Sequence, residues 1–225
     1  MKLPPSLQGV LGVFGGTFDP IHNGHLRAAY ELKRRLGLER IHFVPAGQPP
    51  HRPEPLAPIG LRLQMLEAAL ADEPGCVVDR REIERAGPSY SIDTAQSFRS
   101  EYPTHALCLM LGMDAFLDLP KWHRWTELLD TVNLIVARRP GTTLPRSGDL
   151  GSLLTRRRVL PDSSLSWEPA GQIIVQNVTQ LEIASTDLRE SIKAGIKPKY
   201  LVPPAVGGII EASGCYARED GSIES

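Results

Sequence analysis

Short apolar runs rich in β-branched residues alternate along the chain with longer amphipathic ones. The short runs, at 10–14, 41–44, 76–79, 106–111, 133–137 and 173–178, predict strands. The long ones, at 25–36, 59–71, 91–100, 125–130, 186–193 and 203–213, predict helices. A strand apolar at nearly every position has no face for water, so the expected sheet is parallel and covered by helices on both sides. That is the doubly wound α/β class, in which ligands bind beyond the carboxyl ends of the strands.

Two stretches break the rhythm. Gln48–Pro58 carries prolines at 49, 50, 53, 55 and 58, which exclude regular helix or strand and predict a loop after the second strand. Residues 141–170 are rich in Gly, Pro, Ser and Arg and read as an irregular surface excursion, with Arg156, Arg157 and Arg158 on a solvated face.

Composition narrows the function. A chain of 225 residues with 41% hydrophobic content suits a single domain with a sizeable core. A net charge of −1 argues against electrostatic binding to nucleic acid or an anionic membrane. No apolar stretch approaches the roughly 20 residues of a membrane span, and Met1–Pro5 lacks the apolar core of a secretory signal. Cys76, Cys108 and Cys215 are odd in number and widely spaced, so reduced thiols in a cytoplasmic protein are expected. Whether copies associate is left open.

The chemistry concentrates where Val10–Phe14 gives way to Gly15-Gly16-Thr17-Phe18-Asp19-Pro20-Ile21-His22-Asn23-Gly24-His25-Leu26. A strand, a glycine turn and a helix in that order bring backbone N–H groups and the positive end of a helix dipole together, which is an anion site. Neither the dinucleotide fingerprint nor the P-loop fits the glycine spacing. Gly15 and Gly16 admit a phosphate to the backbone, Thr17 adds a hydroxyl, and Asp19-Pro20 sets a tight turn. His22 and His25, three apart, can face one anion together. As zinc ligands they lack a third partner at sensible spacing. His42 and His105 read as structural.

A second helix start follows the last predicted strand. Ser185 and Thr186 are preferred N-cap residues, and Arg189 lies one turn further in. By itself this is either a capped helix with a surface arginine or a second phosphate site. Gly112 and Asp114 stand at the carboxyl end of the most apolar strand, where a carboxylate accepts from ribose hydroxyls or caps a short helix at 115–118. Trp125, spaced with Leu128 and Leu129, reads as the core tryptophan of its segment.

Taken together, the first turn resembles that of the nucleotidylyltransferase superfamily, and within it the bacterial nicotinate-nucleotide adenylyltransferases. Further segments in the family's order strengthen the likeness: Pro49-Pro50-His51-Arg52, Ser89-Tyr90-Ser91-Ile92-Asp93-Thr94, Leu111-Gly112-Met113-Asp114 with Pro120-Lys121-Trp122, Ala137–Gly141, and Ile183-Ala184-Ser185-Thr186-Asp187-Leu188-Arg189. Ala184 and Ala115 stand where serine is common.

The resemblance implies a Rossmann-like fold and the reaction of ATP with nicotinate mononucleotide to give nicotinate adenine dinucleotide and pyrophosphate, with Mg2+ accompanying ATP. It further implies that His22, His25 and Arg189 act on the phosphates. Gly15, Gly16, Thr17, His51, Arg52, Gly112, Asp114, Ile183, Ser185 and Thr186 would hold ATP, and Thr94, Trp122 and Arg139 the pyridine nucleotide. Two alternatives remain: an adenylyltransferase for nicotinamide mononucleotide or phosphopantetheine, and a nucleotide-sensing regulator. A dehydrogenase is the least fitting, because the glycine pattern is wrong.

Overall fold

The computed structural model describes residues 3–49, 54–139, 141–162, 165–179 and 181–218. Its centre is a parallel sheet of seven strands: β1 (Gly9–Gly16), β2 (Arg40–Pro45), β3 (Cys76–Val78), β4 (His105–Gly112), β5 (Asn133–Arg138), β6 (Arg158–Val159) and β7 (Ile173–Asn177), in the spatial order β3-β2-β1-β4-β5-β7-β6. All six pairings are parallel.

Alternation along each strand divides the core between the two faces, as a period of two requires. Val10, Ala106, Cys108, Met110, Ile135 and Ala137 belong to one apolar cluster. Leu11, Val13, Leu107, Leu109, Leu111, Leu134 and Val136 belong to the other. The first face is covered by α1 (Asn23–Leu36), α2 (Ile59–Leu70), α8 (Ser185–Lys193) and α9 (Pro204–Ser213), through residues such as Leu32, Met65, Leu188 and Val206. The second is covered by α4 (Ser91–Glu101), α6 (Leu128–Thr131) and α7 (Gly148–Arg157), through Phe98, Leu128 and Leu153. The short helices α3 (Arg81–Glu84) and α5 (Met113–Leu117) complete the set.

The doubly wound parallel sheet is as expected, and every predicted strand lies within two residues of its observed bounds. The main correction concerns 141–170. This stretch contains α7 and β6, and it buries Leu150, Leu153, Leu154, Leu165 and Trp167. Its Gly and Ser residues obscure an amphipathic helix whose apolar positions are spaced three and four apart. Arg156–Arg158 are exposed, as anticipated. Trp125 is only half-buried, and the tryptophan that fills the core is Trp167. One polar anchor binds the far end of the sheet. The Arg99 guanidinium donates to the carbonyls of Thr131, Tyr102, Pro103, His105 and Pro169 at 2.7–3.4 Å, closing helix α4 over two loops.

The chain runs outward from β1 to β3 and then crosses back to β4, so the strand order reverses between β1 and β4. In an open parallel sheet the crevice beyond such a reversal is where ligands bind. Gly16 and Gly112 end the two strands there.

Candidate active site

Beyond Gly16 the chain turns through residues 17–22 into α1, and the helix start is built by its two histidines. His22 is the N-cap, with extended φ −145 and ψ 168, and its Nδ1 accepts the His25 backbone N–H at 3.4 Å. His25 returns the bond: its Nδ1 accepts the His22 N–H at 3.3 Å. This is a reciprocal capping box formed by two imidazoles in place of the usual hydroxyl and carboxylate. The rings stack with centroids 3.6 Å apart and planes at 25°. Because each Nδ1 accepts, each neutral ring carries its proton on Nε2 and offers that N–H as a donor.

His22 is 5% exposed, and burial lowers its pKa from 6.5 to about 4, against a smaller opposing pull from a backbone hydrogen bond. It therefore donates as a neutral ring at physiological pH. The linkage has a definite sign. Between pH 6.5 and pH 4 the unfolded chain takes up a proton that the folded His22 refuses, so its contribution is present above pH 6.5 and lost as pH falls. Over that interval, stability from this one group should fall by about 3 kcal/mol. Urea midpoints measured across the interval should show His22→Gln with a visibly shallower slope than the parent. Parallel slopes would contradict the assignment.

Two glycines sit against aromatic rings of this turn. A Cβ on Gly24 would lie 3.0 Å from His22 Nδ1 and 3.1 Å from its Cε1, against a buried ring already stacked on its neighbour. A Cβ on Gly16 would meet the Phe18 ring at 2.9 Å, and Phe18 itself sits in the left-handed region with φ 49. Gly15 and Gly112 differ: a Cβ on either would meet nothing within 4 Å, so both strand ends face open space.

The second helix start meets the first. The α8 N-cap is Ala184 and no side chain caps the helix, so the expectation of a Ser185 or Thr186 cap is corrected. Ser185 is instead the first helical residue, and its hydroxyl donates to the Pro20 carbonyl at 3.1 Å. Arg189 Nη1 donates to the Asp19 carbonyl at 2.7 Å and stands 3.7 Å from the Asp19 carboxylate. Arg189 Nη2 lies 3.4 Å from Thr186 Oγ1. Ile183 packs half-buried against the first core. The result is two helix N-termini, uncapped hydroxyls and a cation converging on one turn. Thr17 contributes its backbone to the support: its carbonyl accepts from Arg62 Nη1 at 2.8 Å.

The remaining expected residues fall around the same end of the sheet. Asp114 is exposed in the first turn of α5, whose N-cap is Gly112, and makes no side-chain capping bond, so the alternative of a cap at 115–118 does not hold. Trp122 is half-buried, and its neighbour His123 lies against Tyr90, the α4 N-cap, with ring centroids 4.3 Å apart. Thr94 lies on the inner side of α4 beside a cavity of about 20 Å³ that Gly15, Glu82 and Ser91 also line. Its hydroxyl donates to Glu82 Oε1 at 2.6 Å, and burial pushes the Glu82 carboxyl above its ordinary pKa. Arg139 directly follows β5 and pairs with Glu182 at 2.9 Å, on the segment leading into α8. His51 and Arg52 lie outside the described residues.

Three further residues shape the site. Asp19 does more than form the turn: its buried carboxylate accepts from Leu56 N, Ala57 N and Tyr216 Oη at 2.9, 3.1 and 2.6 Å. Arg62 shares the buried face of α2 with Met65 and Leu66, and a cation on an apolar stripe is the sequence signal that marks it. Glu31 on α1 holds Thr179 N–H at 3.2 Å while pairing with Arg27 and Arg35, which ties the segment after β7 to the histidine helix. Nothing in local spacing announces Tyr216 or Thr179, because both contacts span most of the chain.

Comparison with known proteins places this geometry. The cytidylyltransferase-like family model matches residues 13–191. A protein of Methylococcus capsulatus named a probable nicotinate-nucleotide adenylyltransferase is 45% identical over 210 residues, covering 93% of this chain and 100% of its own. One of Aeromonas salmonicida with the same name is 41% identical, covering 95% and 100%. Among solved structures, the nicotinic acid mononucleotide adenylyltransferase of Plasmodium falciparum complexed with NaAD shares the fold at TM-score 0.71 and 15% identity, covering 93% of this chain and 98% of that one. Among the described residues no helix is long and apolar enough to cross a membrane. With its first turn, its paired helix starts and nearly its whole length matched, the chain belongs to the nicotinate-nucleotide adenylyltransferases, a family of nucleotidyltransferases.

Proposed function

We propose that the protein transfers the adenylyl group of ATP to nicotinate mononucleotide, releasing pyrophosphate and forming nicotinate adenine dinucleotide for NAD synthesis. The observation that carries this reading is the meeting of the α1 and α8 N-termini around the stacked His22 and His25 rings. Such a site is made for a polyphosphate, and the names of the relatives give the acceptor.

The acceptor phosphate is already largely dianionic at neutral pH, since its second pKa is about 6. Its oxygen attacks the α-phosphorus of ATP in line, the new P–O bond forms, and the bond to the β-phosphate oxygen breaks to release pyrophosphate. No general base and no covalent enzyme intermediate are required. The chain has to bring two anions together and stabilise the charge that moves onto the leaving oxygens.

In this reading the Nε2–H groups of His22 and His25 donate to the α- and β-phosphates, with Gly15, Gly16 and Thr17 beside them. Ser185, Thr186 and Arg189 take the β- and γ-phosphates, and Gly112 and Asp114 the ATP ribose. Among the described residues no group of three or more His, Cys, Asp or Glu could hold a metal. Magnesium would enter with ATP as part of the substrate, beside Ser185, Thr186 and Arg189, and would supply countercharge for the leaving pyrophosphate.

Thr94, Trp122 and Arg139 are assigned to the pyridine nucleotide, with Trp122 offering a face to the cationic ring. The α4 N-terminus next to them has no side-chain cap, so its N–H groups and dipole favour a carboxylate over an amide. This supports nicotinate over nicotinamide. The Thr94 hydroxyl proton already belongs to Glu82 and its N–H to the Tyr90 carbonyl, so its contribution there is shape.

The test is pyrophosphate release with Mg-ATP and, separately, nicotinate mononucleotide, nicotinamide mononucleotide and phosphopantetheine. Strong preference for the nicotinate compound is expected. Preference for either other acceptor would overturn the assignment of the acceptor pocket, and ATP binding with no release for all three would favour a nucleotide sensor.

A further inference from the structure

Asp19 carries the most heavily engaged carboxylate near the site, and the mechanism above gives it no part. It is 4% exposed. Oδ1 accepts from Tyr216 Oη at 2.6 Å and from Ala57 N at 3.1 Å, and Oδ2 accepts from Leu56 N at 2.9 Å. Arg189 approaches the same residue differently. Its Nη1 donates to the Asp19 carbonyl at 2.7 Å but remains 3.7 Å from the carboxylate, beyond hydrogen-bond range. With two donors on Oδ1 and one on Oδ2, the carboxylate is held in this orientation and is not turned to take the guanidinium as a bidentate pair. The guanidinium is thus aimed without being consumed. Tyr216 reaches this point from beyond α9, 197 positions further along the chain, and its own ring is 5% exposed in the first core. Burial and the adjacent carboxylate push the Tyr216 phenol above its ordinary pKa, so it is a proton donor throughout the working range.

The geometry points to Tyr216 and Asp19 as positioning residues for Arg189: Tyr216 anchors Oδ1 of the Asp19 carboxylate and so holds Oδ2 off the guanidinium, which leaves the remaining N–H groups of Arg189 for the β- and γ-phosphates of ATP. This rests on the phosphate half of the proposed function and is independent of which acceptor is used.

Tyr216→Phe keeps the buried ring and deletes one donor. The carboxylate is then free to close on Arg189, and Mg-ATP should bind about tenfold more weakly by calorimetry, as expected for one hydrogen bond to a charged group. The KM for the acceptor should be unchanged. Direct binding is read alongside turnover, so a wrong acceptor cannot mask the result. The decisive comparison is a double-mutant cycle. In an Arg189→Ala background, Tyr216→Phe should have no further effect on ATP affinity, because the group it positions is gone. An equal tenfold loss in both backgrounds would make Tyr216 merely structural and overturn the inference. So would a Tyr216→Phe variant with parental ATP affinity. Weaker ATP binding that vanishes in the Arg189→Ala background, with no turnover of any acceptor, would uphold the positioning role and reject the adenylyl-transfer reading.

Discussion

Replacing His25 by alanine is expected to lower kcat by a hundredfold to about a thousandfold, the usual loss when one preorganised donor to a developing charge is removed. ATP affinity should change far less, by about threefold. The reason lies in when the charge appears. In the proposed mechanism the Nε2–H of His25 meets oxygens that gain charge as the bond between the α-phosphorus and pyrophosphate breaks, so its hydrogen bond strengthens on the way to the transition state.

Alanine also removes half of the capping box, since His25 Nδ1 accepts the His22 N–H. Losing that cap costs about 1 kcal/mol of helix stability. His25→Gln separates the two effects. Glutamine at this helical position keeps an acceptor for the cap but moves the donor, so the melting temperature should hold while kcat still collapses. Equal losses in kcat and ATP affinity would remove the transition-state role.

The largest loss of stability among these predictions is expected from Arg62→Met. The guanidinium is 2% exposed and donates to the carbonyls of Thr17 and Ala46 at 2.8 and 2.9 Å. It thereby ties the turn after β1 to the residue after β2. Burial lowers its pKa, and the Asp19 carboxylate pulls it back up. Methionine fits the aliphatic path but strands two carbonyls and leaves a buried carboxylate short of countercharge. Breaking such an arrangement from one side costs about 3 kcal/mol. The urea midpoint should fall with an unchanged m-value. A variant as stable as the parent would mean that desolvation of the cation had cancelled its bonds. Because Thr17 loses its support, ATP binding should weaken as well.

The parts of this molecule that follow from local rules were legible in its sequence. Strands buried on both faces announce themselves by unbroken apolar runs, and β1, β4 and β5 could be placed from that alone. The first turn was legible because it concentrates glycine, histidine and a helix start within a dozen positions. Helix α7 was not, since the Gly and Ser residues around Leu150, Leu153 and Leu154 resemble loop composition, and only packing against the sheet decides the outcome.

The site shows the same division. The spacing of His22 and His25 suggested a shared anion, but not that the rings would cap each other's backbone and stack. Ser185 has the chemistry of a cap, yet tertiary contact with Pro20 claims its hydroxyl. The Asp19 network joins residues 19, 56, 57, 189 and 216, and no window of local pattern spans them.

That network has a consequence for biosynthesis. The histidine helix leaves the ribosome before the Arg189 and Tyr216 that meet Asp19 in the turn ahead of it. A nascent chain can pair β1 with β2, and β2 with β3, before either arrives. On the proposed assignment, the full set of phosphate contacts is therefore assembled only once residue 216 has been made, with Arg189 in place before it.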